Sequence, residues 1–235
     1  HHQAIATFKP KNSAAYTNQF VAVGGAGTQG VTFFSSNATT WSSATSAVPA
    51  GELFDVLGLS GSLYAISTGV KGAMLKGTFN GTTWAWAKVA VTLGLTATDV
   101  PQALVYNGSR YVMATKNALG CDLWSSLTGD KWFKCTLGSA SPALGVTRLS
   151  MAGTEIVGVG TAGEVWKSAD GTTFTAINRI PTGQPQNLLS AAKIASTYVV
   201  TGEGGRIYTI TPPGETVWTS RYSTGSTFDI NGVAS

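Results

Sequence analysis

One short pattern recurs along the chain and fixes most of what it can fold into. A small polar turn is followed at once by an aromatic residue, in Ser35-Ser-Asn-Ala-Thr-Thr-Trp41, Phe79-Asn-Gly-Thr-Thr-Trp84 and Ser126-Leu-Thr-Gly-Asp-Lys-Trp132. The same arrangement returns in Ser168-Ala-Asp-Gly-Thr-Thr-Phe174 and, more loosely, in Pro212-Pro-Gly-Glu-Thr-Val-Trp218. Successive aromatic anchors lie 42 to 48 residues apart. Self-similarity at a fixed period is the signature of a repeat architecture, because one unit alone cannot bury its apolar face.

Each unit divides into four runs of alternating residues punctuated by Gly, Asn, Asp or Ser. In the second unit the runs are Phe54–Leu59, Ser62–Thr68, Met74–Thr78 and Thr83–Val91. In the fourth they are Arg148–Met151, Glu155–Gly160, Glu164–Ser168 and Thr172–Ile177. Asn80-Gly81, Asn107-Gly108, Gly129-Asp130 and Asp170-Gly171 supply turn chemistry that tolerates positive φ. Four short strands in about 43 residues match one blade of a β-propeller. The expected fold is therefore all-β: a five-bladed propeller of four-stranded antiparallel blades.

The chain ends suggest how such a ring would close. The C-terminal Phe228-Asp-Ile-Asn-Gly-Val-Ala-Ser235 aligns with Phe54-Asp-Val-Leu-Gly-Leu-Ser-Gly61, the first strand of the second unit. The N-terminal part offers later strands near Gln19–Gly24, Val31–Ser36 and Thr40–Ala44 but no patterned first strand. The expectation is that Phe228–Ser235 completes the N-terminal blade and hides both sheet edges. His1 and His2 read as the remnant of an expression tag, residues 1–14 as an extension, and residues 15–235 as one domain.

The composition fits a turn-rich scaffold. Only 11% of residues are charged, whereas hydrophobic residues make up 43%. Disorder and long helical bundles are thereby excluded. No apolar run reaches the roughly 18 residues of a membrane span. The net charge of +4 is spread singly, without the basic stripe of a nucleic-acid interface. Low charge with abundant Ser and Thr suits an exported or virion surface.

The hairpin motif resembles the Asp-box of sialidase-type (BNR-like) propellers, a Ser/Thr-x-Asp-x-Gly-x-x-Trp/Phe pattern. Only Ser168-Ala-Asp-Gly-Thr-Thr-Phe174 comes close, and it lacks the spacer between Asp and Gly. The resemblance implies architecture rather than activity. It makes Asp170 an acceptor for backbone N–H groups and makes Trp41, Trp84, Trp132, Phe174 and Trp218 structural aromatics. Lectin and phage tail-fibre propellers are similar in kind.

Catalytic chemistry finds little support. Sialidases of this repeat type carry an arginine triad, yet among Arg110, Arg148, Arg179, Arg206 and Arg221 only Arg148 falls on an expected inner strand. The two histidines are the tag pair, so neither a Ser–His triad nor a His-built zinc site is available. Aligned inner strands put Asp55, Gln102, Thr147, Ser190 and Asp229 at one level. The favoured reading of these five is a solvated polar ring. A hard-cation site at Asp55 and Asp229, or a glycosidase carboxylate pair, is the minority reading. No cofactor is otherwise expected. Cys121 and Cys135 would lie roughly opposite across a hairpin, with a disulfide and two free thiols equally open.

Function is expected on the loops of one face. The candidate ligand-binding residues there are Asn117, Arg179, Gln186, Asn187, Arg206, Arg221 and Tyr222. Amides, Arg and Tyr suit sugar hydroxyls or a polar protein surface. The first expectation is a non-enzymatic module binding a glycan or cell-surface receptor. The alternative is a protein–protein scaffold of a virion or secreted complex, and a glycoside hydrolase comes third.

Overall fold

The computed structural model describes residues 2–8, 19–26, 29–43, 51–59, 62–67, 69–79, 84–138, 145–178, 180, 187–213, 216–222 and 228–233. They form five sheets, each with four antiparallel strands that follow the chain in order. The first sheet holds β1 (His2–Phe8), β2 (Gln19–Ala26), β3 (Gln29–Ser35) and β4 (Ser42–Ser43). The second holds β5 (Leu53–Leu59), β6 (Ser62–Ser67), β7 (Leu75–Phe79) and β8 (Trp84–Lys88). The third holds β9 (Val100–Tyr106), β10 (Tyr111–Asn117), β11 (Gly120–Ser126) and β12 (Phe133–Lys134).

The fourth sheet gains an extra strand. Before its own four, the chain lays down β13 (Thr136–Leu137), which pairs parallel with the outermost strand. The four are β14 (Val146–Ala152), β15 (Glu155–Gly160), β16 (Val165–Ser168) and β17 (Thr173–Ile177). The fifth sheet holds β18 (Leu188–Ile194), β19 (Thr197–Gly202), β20 (Arg206–Ile210) and β21 (Thr219–Tyr222).

The chain clusters into two compact units, His1–Leu104 with Thr128–Trp132, and Val105–Leu127 with Phe133–Ser235. In the first unit, β5 packs against β1 and β2. Its core gathers Val21, Val23, Leu53, Val56, Leu63, Leu75, Trp84 and Trp86. The Trp86 indole donates to Thr32 Oγ1 at 3.2 Å, so the one polar atom of this ring is satisfied inside the core. In the second unit, β14 packs against β10 and β11, and β18 against β14 and β15. Val157, Val159, Val165, Ile177, Leu188, Tyr198, Val200, Tyr208 and Trp218 form its core. Alternation explains the burial: in β8, Trp84 and Trp86 point inward while Ala85 and Ala87 are exposed.

The N-terminal blade departs from the sequence expectation. Its first strand is β1, which pairs antiparallel with β2 from His2↔Gly24 to Phe8↔Gln19. Residues 2–8 are thus part of the first sheet rather than an extension, and Phe228–Ser235 is not needed to complete it. The run His-Gln-Ala-Ile-Ala-Thr-Phe alternates only weakly, and His2, following His1, disguises it as a tag.

The described part of the C-terminal segment lies instead beside the fifth sheet. The Ile230 amide donates to Gly202 O at 3.2 Å, and Val233 N–H donates to Ser190 Oγ at 3.1 Å. In the second sheet the Leu104 amide of β9 donates to the Asp55 carboxylate of β5 at 2.9 Å. Asp55 and Ser190 occupy the same strand position. Each follows a register shift, between Leu53 and Asp55 in β5 and between Leu188 and Ser190 in β18. The segment therefore sits against β18 in the manner of a following inner strand.

Candidate functional site

The outer hairpins share one geometry, although only one carries an Asp at the key position. Asp170 Oδ1 accepts the backbone amides of Thr172 and Thr173 at 2.8 and 2.9 Å, and the Ser168 hydroxyl at 3.0 Å. Asn37 Oδ1 does the same in the first sheet, accepting the amides of Thr39 and Thr40 at 2.9 Å each and the Ser35 hydroxyl at 3.1 Å. A side-chain oxygen two residues before the amides it holds is the Asx turn. Burial pushes the Asp170 carboxyl up. Donation from the Thr172 hydroxyl, the Thr173 and Thr172 amides and the Ser168 hydroxyl outweighs this and holds it well below the usual carboxylate range. The next residue adopts positive φ in all three hairpins described there: Ala38 at 61°, Gly129 at 85° and Gly171 at 74°.

The aromatic anchors differ in one respect. Trp84, Trp132, Phe174 and Trp218 are 0 to 4% exposed, whereas Trp41 is 37% exposed. The Trp132 indole donates to Gly129 O at 2.8 Å and the Trp41 indole to Ala38 O at 3.1 Å, so both close the turn the same way.

A fastening on the outer edge, which sequence reasoning missed, accompanies three of the four buried anchors, Trp132, Phe174 and Trp218. After β8 the chain runs as Thr92-Leu93-Gly94 beside the third sheet's hairpin, with Leu93 bridged in parallel to Lys131. Thr92 N–H donates to Asp130 O at 2.7 Å, and Trp132 N–H to Leu93 O at 2.9 Å. After β12 it runs as Thr136-Leu137-Gly138 beside the fourth sheet's hairpin. Thr136 N–H donates to Thr172 O at 2.8 Å and Gly138 N–H to Phe174 O at 2.8 Å. After β17, Asn178 Nδ2 donates to Thr216 O and Asn178 O accepts from the Trp218 indole. Three times, then, the segment leaving one sheet bonds to the hairpin of the next. The signal was present in the sequence as Thr-Leu-Gly written twice. Glycine is required in the first clamp. A Cβ at Gly94 would stand 2.0 Å from Trp132 O, and φ there is +99°.

Of the five residues read as a polar ring, Asp55 and Ser190 hold the same register position within their own sheets and Thr147 does not. Asp55 and Ser190 follow their bulges, and the residue in that place on β14 is Arg148, whereas Thr147 sits inside the bulge. A bulge adds one residue that straight alignment cannot see. Both Asp55 oxygens accept backbone amides, from Val56 at 3.0 Å and Leu104 at 2.9 Å. Asp229 Oδ1 accepts the Gly204 amide at 3.0 Å. Gln102 Nε2 donates to the carbonyls of Val100 and Pro101. Thr147 O accepts from Arg148 Nη1 at 3.0 Å. Among the described residues, no three His, Cys, Asp or Glu side chains gather as metal ligands.

The candidate ligand residues are distributed as follows. Arg179 and Gln186 lie outside the described residues. Asn117, at the end of β10, accepts the Leu119 amide at 2.9 Å and donates to Asp122 at 3.2 Å. Asn187 donates to Glu203 at 2.8 Å. Arg206 Nη1 donates to the Tyr208 hydroxyl at 3.3 Å, and Arg221 Nε to Thr209 Oγ1 at 2.7 Å. Tyr222 pairs with Ile207 on the outer edge and is 49% exposed. The structure brings Asn187, Glu203, Arg206 and Tyr222 to one end of the fifth sheet.

Both cysteines are free thiols. Leu123, not Cys121, is the residue opposite Cys135, whose amide donates to Leu123 O at 2.9 Å. Burial pushes the Cys135 thiol up to about 12. A charged cluster that sequence reasoning did not single out links β15, β16 and β18. Glu155 accepts from Lys193 and from the Tyr198 hydroxyl at 2.6 Å, with Lys167 at 3.8 Å. Burial pushes the Glu155 carboxyl up, but the Lys193 and Tyr198 donors and the Lys167 charge outweigh it and leave it below its ordinary value.

No family model matches the chain, and no curated protein does. Solved structures do match in fold. YCF48 from Cyanidioschyzon merolae is 14% identical with a TM-score of 0.58, covering 90% of this chain and 70% of its own. The β-propeller domain of Cps50 (Swd1) from Myceliophteria thermophila is 10% identical, with a TM-score of 0.58 over 90% of this chain and 71% of that one. A catalytically inactive virginiamycin B lyase from Staphylococcus aureus with quinupristin is 8% identical, with a TM-score of 0.63 over 94% of this chain and 74% of that one. A YCF48 structure bound to D1 peptide matches at a TM-score of 0.55 and 14% identity, and this chain spans 63% of it. The fold is that of the β-propellers. Its similar structures include a lyase and a protein bound to a peptide, so likeness of fold does not select an activity. Among the described residues, no helix is long and apolar enough to cross a membrane.

Proposed function

We propose that the chain is a non-enzymatic recognition domain that binds protein segments, and that its five sheets are five propeller blades. The observation that carries this reading is how its polar groups are used. Asp55, Asp170 and Asp229 each hold backbone amides, while Asn117 and Asn187 hold neighbouring side chains. These groups rigidify loops and leave little acid–base or sugar-binding capacity in the described part of the chain. A similar propeller, YCF48, is known in a complex with a peptide. Extended segments are also what this chain itself binds at its outer edges, through main-chain bonds that suit many sequences.

The test is a pair of arrays probed with the same preparation, one of extended 12-residue peptides and one of glycans. Micromolar binding within the peptide set, with Asp55→Asn plus Asp229→Asn retaining it, is the expected result. Glycan binding without any peptide binding would refute the reading.

A further inference from the structure

Asn-Gly pairs occur at 80–81, 107–108 and 231–232. Such a pair carries the means to modify itself, because glycine puts no side chain in the way of its own amide. The glycine nitrogen attacks the asparagine Cγ, the Cγ–Nδ2 bond breaks, and ammonia leaves with the amide proton. Water then opens the cyclic imide at one of its two carbonyls, giving aspartate or isoaspartate. The fold treats two of these pairs differently, and Asn80–Gly81 lies outside the described residues. Asn107 Oδ1 accepts the Ser109 amide, the Ser109 hydroxyl and the Arg110 amide, each at 3.0 Å. A carboxamide held by three donors is not free to turn its face to the Gly108 nitrogen. Asn231 is exposed, and among the described residues its side chain makes no hydrogen bond. Nothing lies within 4 Å of a Cβ built at Gly108 or at Gly232, so the hydrogen bonds and not crowding separate the two sites.

We infer that Asn231–Gly232 is a self-modification site, and that its conversion to isoaspartate detaches Val233 from Ser190 of the fifth sheet. Asn231 stands between two points of attachment. Before it, the Ile230 amide donates to Gly202 O at 3.2 Å, and Asp229 Oδ1 accepts the Gly204 amide at 3.0 Å. After it, the Val233 amide donates to Ser190 Oγ at 3.1 Å. Isoaspartate routes the main chain through Cγ and so inserts one methylene between the two points, whose spacing the standard backbone sets. Asp229 and Ile230 lie ahead of the insertion and keep their bonds, whereas Val233 is carried out of register. Ser190 holds Val233 as Asp55 holds Leu104 of β9, so the bond lost is the one that seats a following inner strand.

The test incubates the intact chain in mildly alkaline buffer, folded and in denaturing guanidinium, and follows each site by peptide-mapping mass spectrometry with isoaspartate separated from aspartate. In the folded chain Asn231 should convert about tenfold faster than Asn107 or more, since Asn107 must first open three hydrogen bonds. In guanidinium the two rates should come together, and Gly232→Ala should slow conversion at 231 in both conditions. Amide exchange reads the consequence. The isoaspartate form should lose protection at Val233 and keep it at Ile230. Asn231→Asp, which adds the charge without the methylene, should keep both amides protected. Asn107 converting as fast as Asn231 in the folded chain, or the same ratio of rates persisting in guanidinium, overturns the inference. So does an isoaspartate form whose Val233 amide stays protected, or loss of that protection in Asn231→Asp.

Discussion

Gly94→Ala and Gly108→Ala form a matched pair that isolates the outer clamp. Both glycines have positive φ, +99° and +95°. Placing an L side chain there costs about 1–2 kcal/mol at either site. The surroundings differ. Nothing lies within 4 Å of a Cβ built at Gly108, whereas one at Gly94 would stand 2.0 Å from Trp132 O. The clamp must retreat to admit it. That retreat breaks the bonds from Thr92 to Asp130 O at 2.7 Å and from Trp132 to Leu93 O at 2.9 Å. At about 0.5–1.5 kcal/mol net for each bond, Gly94→Ala should cost roughly 1–3 kcal/mol more than Gly108→Ala. Urea unfolding with linear extrapolation measures the difference. Amide exchange at Thr92 and Trp132 shows whether the clamp has opened. Equal costs for the two variants, with both amides still protected, would refute the role given to the clamp.

Four further outcomes are expected. Trp132→Ala should cost about 3–5 kcal/mol because the ring is buried, whereas the equivalent Trp41→Ala should cost under about 1 kcal/mol, both from urea midpoints. Ala38→Gly should stabilise by about 0.5–1 kcal/mol, because Gly129 and Gly171 hold the same positive-φ place without a Cβ; unchanged stability would place the strain elsewhere. Glu155 has a depressed carboxyl, so its contribution is complete above its ordinary pKa of 4.5 and disappears as pH falls through the folded value. Glu155→Gln should therefore flatten the loss of stability on acidification below about pH 5, and an unaltered acid profile would count against the cluster. Cys135, with its thiol pushed up to about 12, should resist iodoacetamide at pH 8 until the protein unfolds.

Particular residues show what could be read from the sequence. The anchors Trp41, Trp84, Trp132, Phe174 and Trp218 announced the repeat, because a turn followed by a ring is local chemistry. The strand runs followed from alternation, as at Trp84 and Trp86. The first strand was missed because His2 resembles a tag and seven residues carry only a weak period. The polar ring was misaligned because bulges at Asp55, Arg148 and Ser190 shift the register invisibly. Asn117 and Asn187 looked like ligand groups because an exposed amide reads the same whether it faces a sugar or a neighbouring side chain. The clamps were written in the sequence as Thr-Leu-Gly at 92–94 and 136–138. Their parallel pairing is nonlocal, however, and periodicity within one blade says nothing about the edge of the next.

Binding of the intact chain to extended peptides, set beside its binding to glycans, bears most directly on the reading as a recognition domain for protein segments. Micromolar binding to a subset of the peptides, with the glycans unbound, is the predicted result. Glycan binding with every peptide unbound would contradict it.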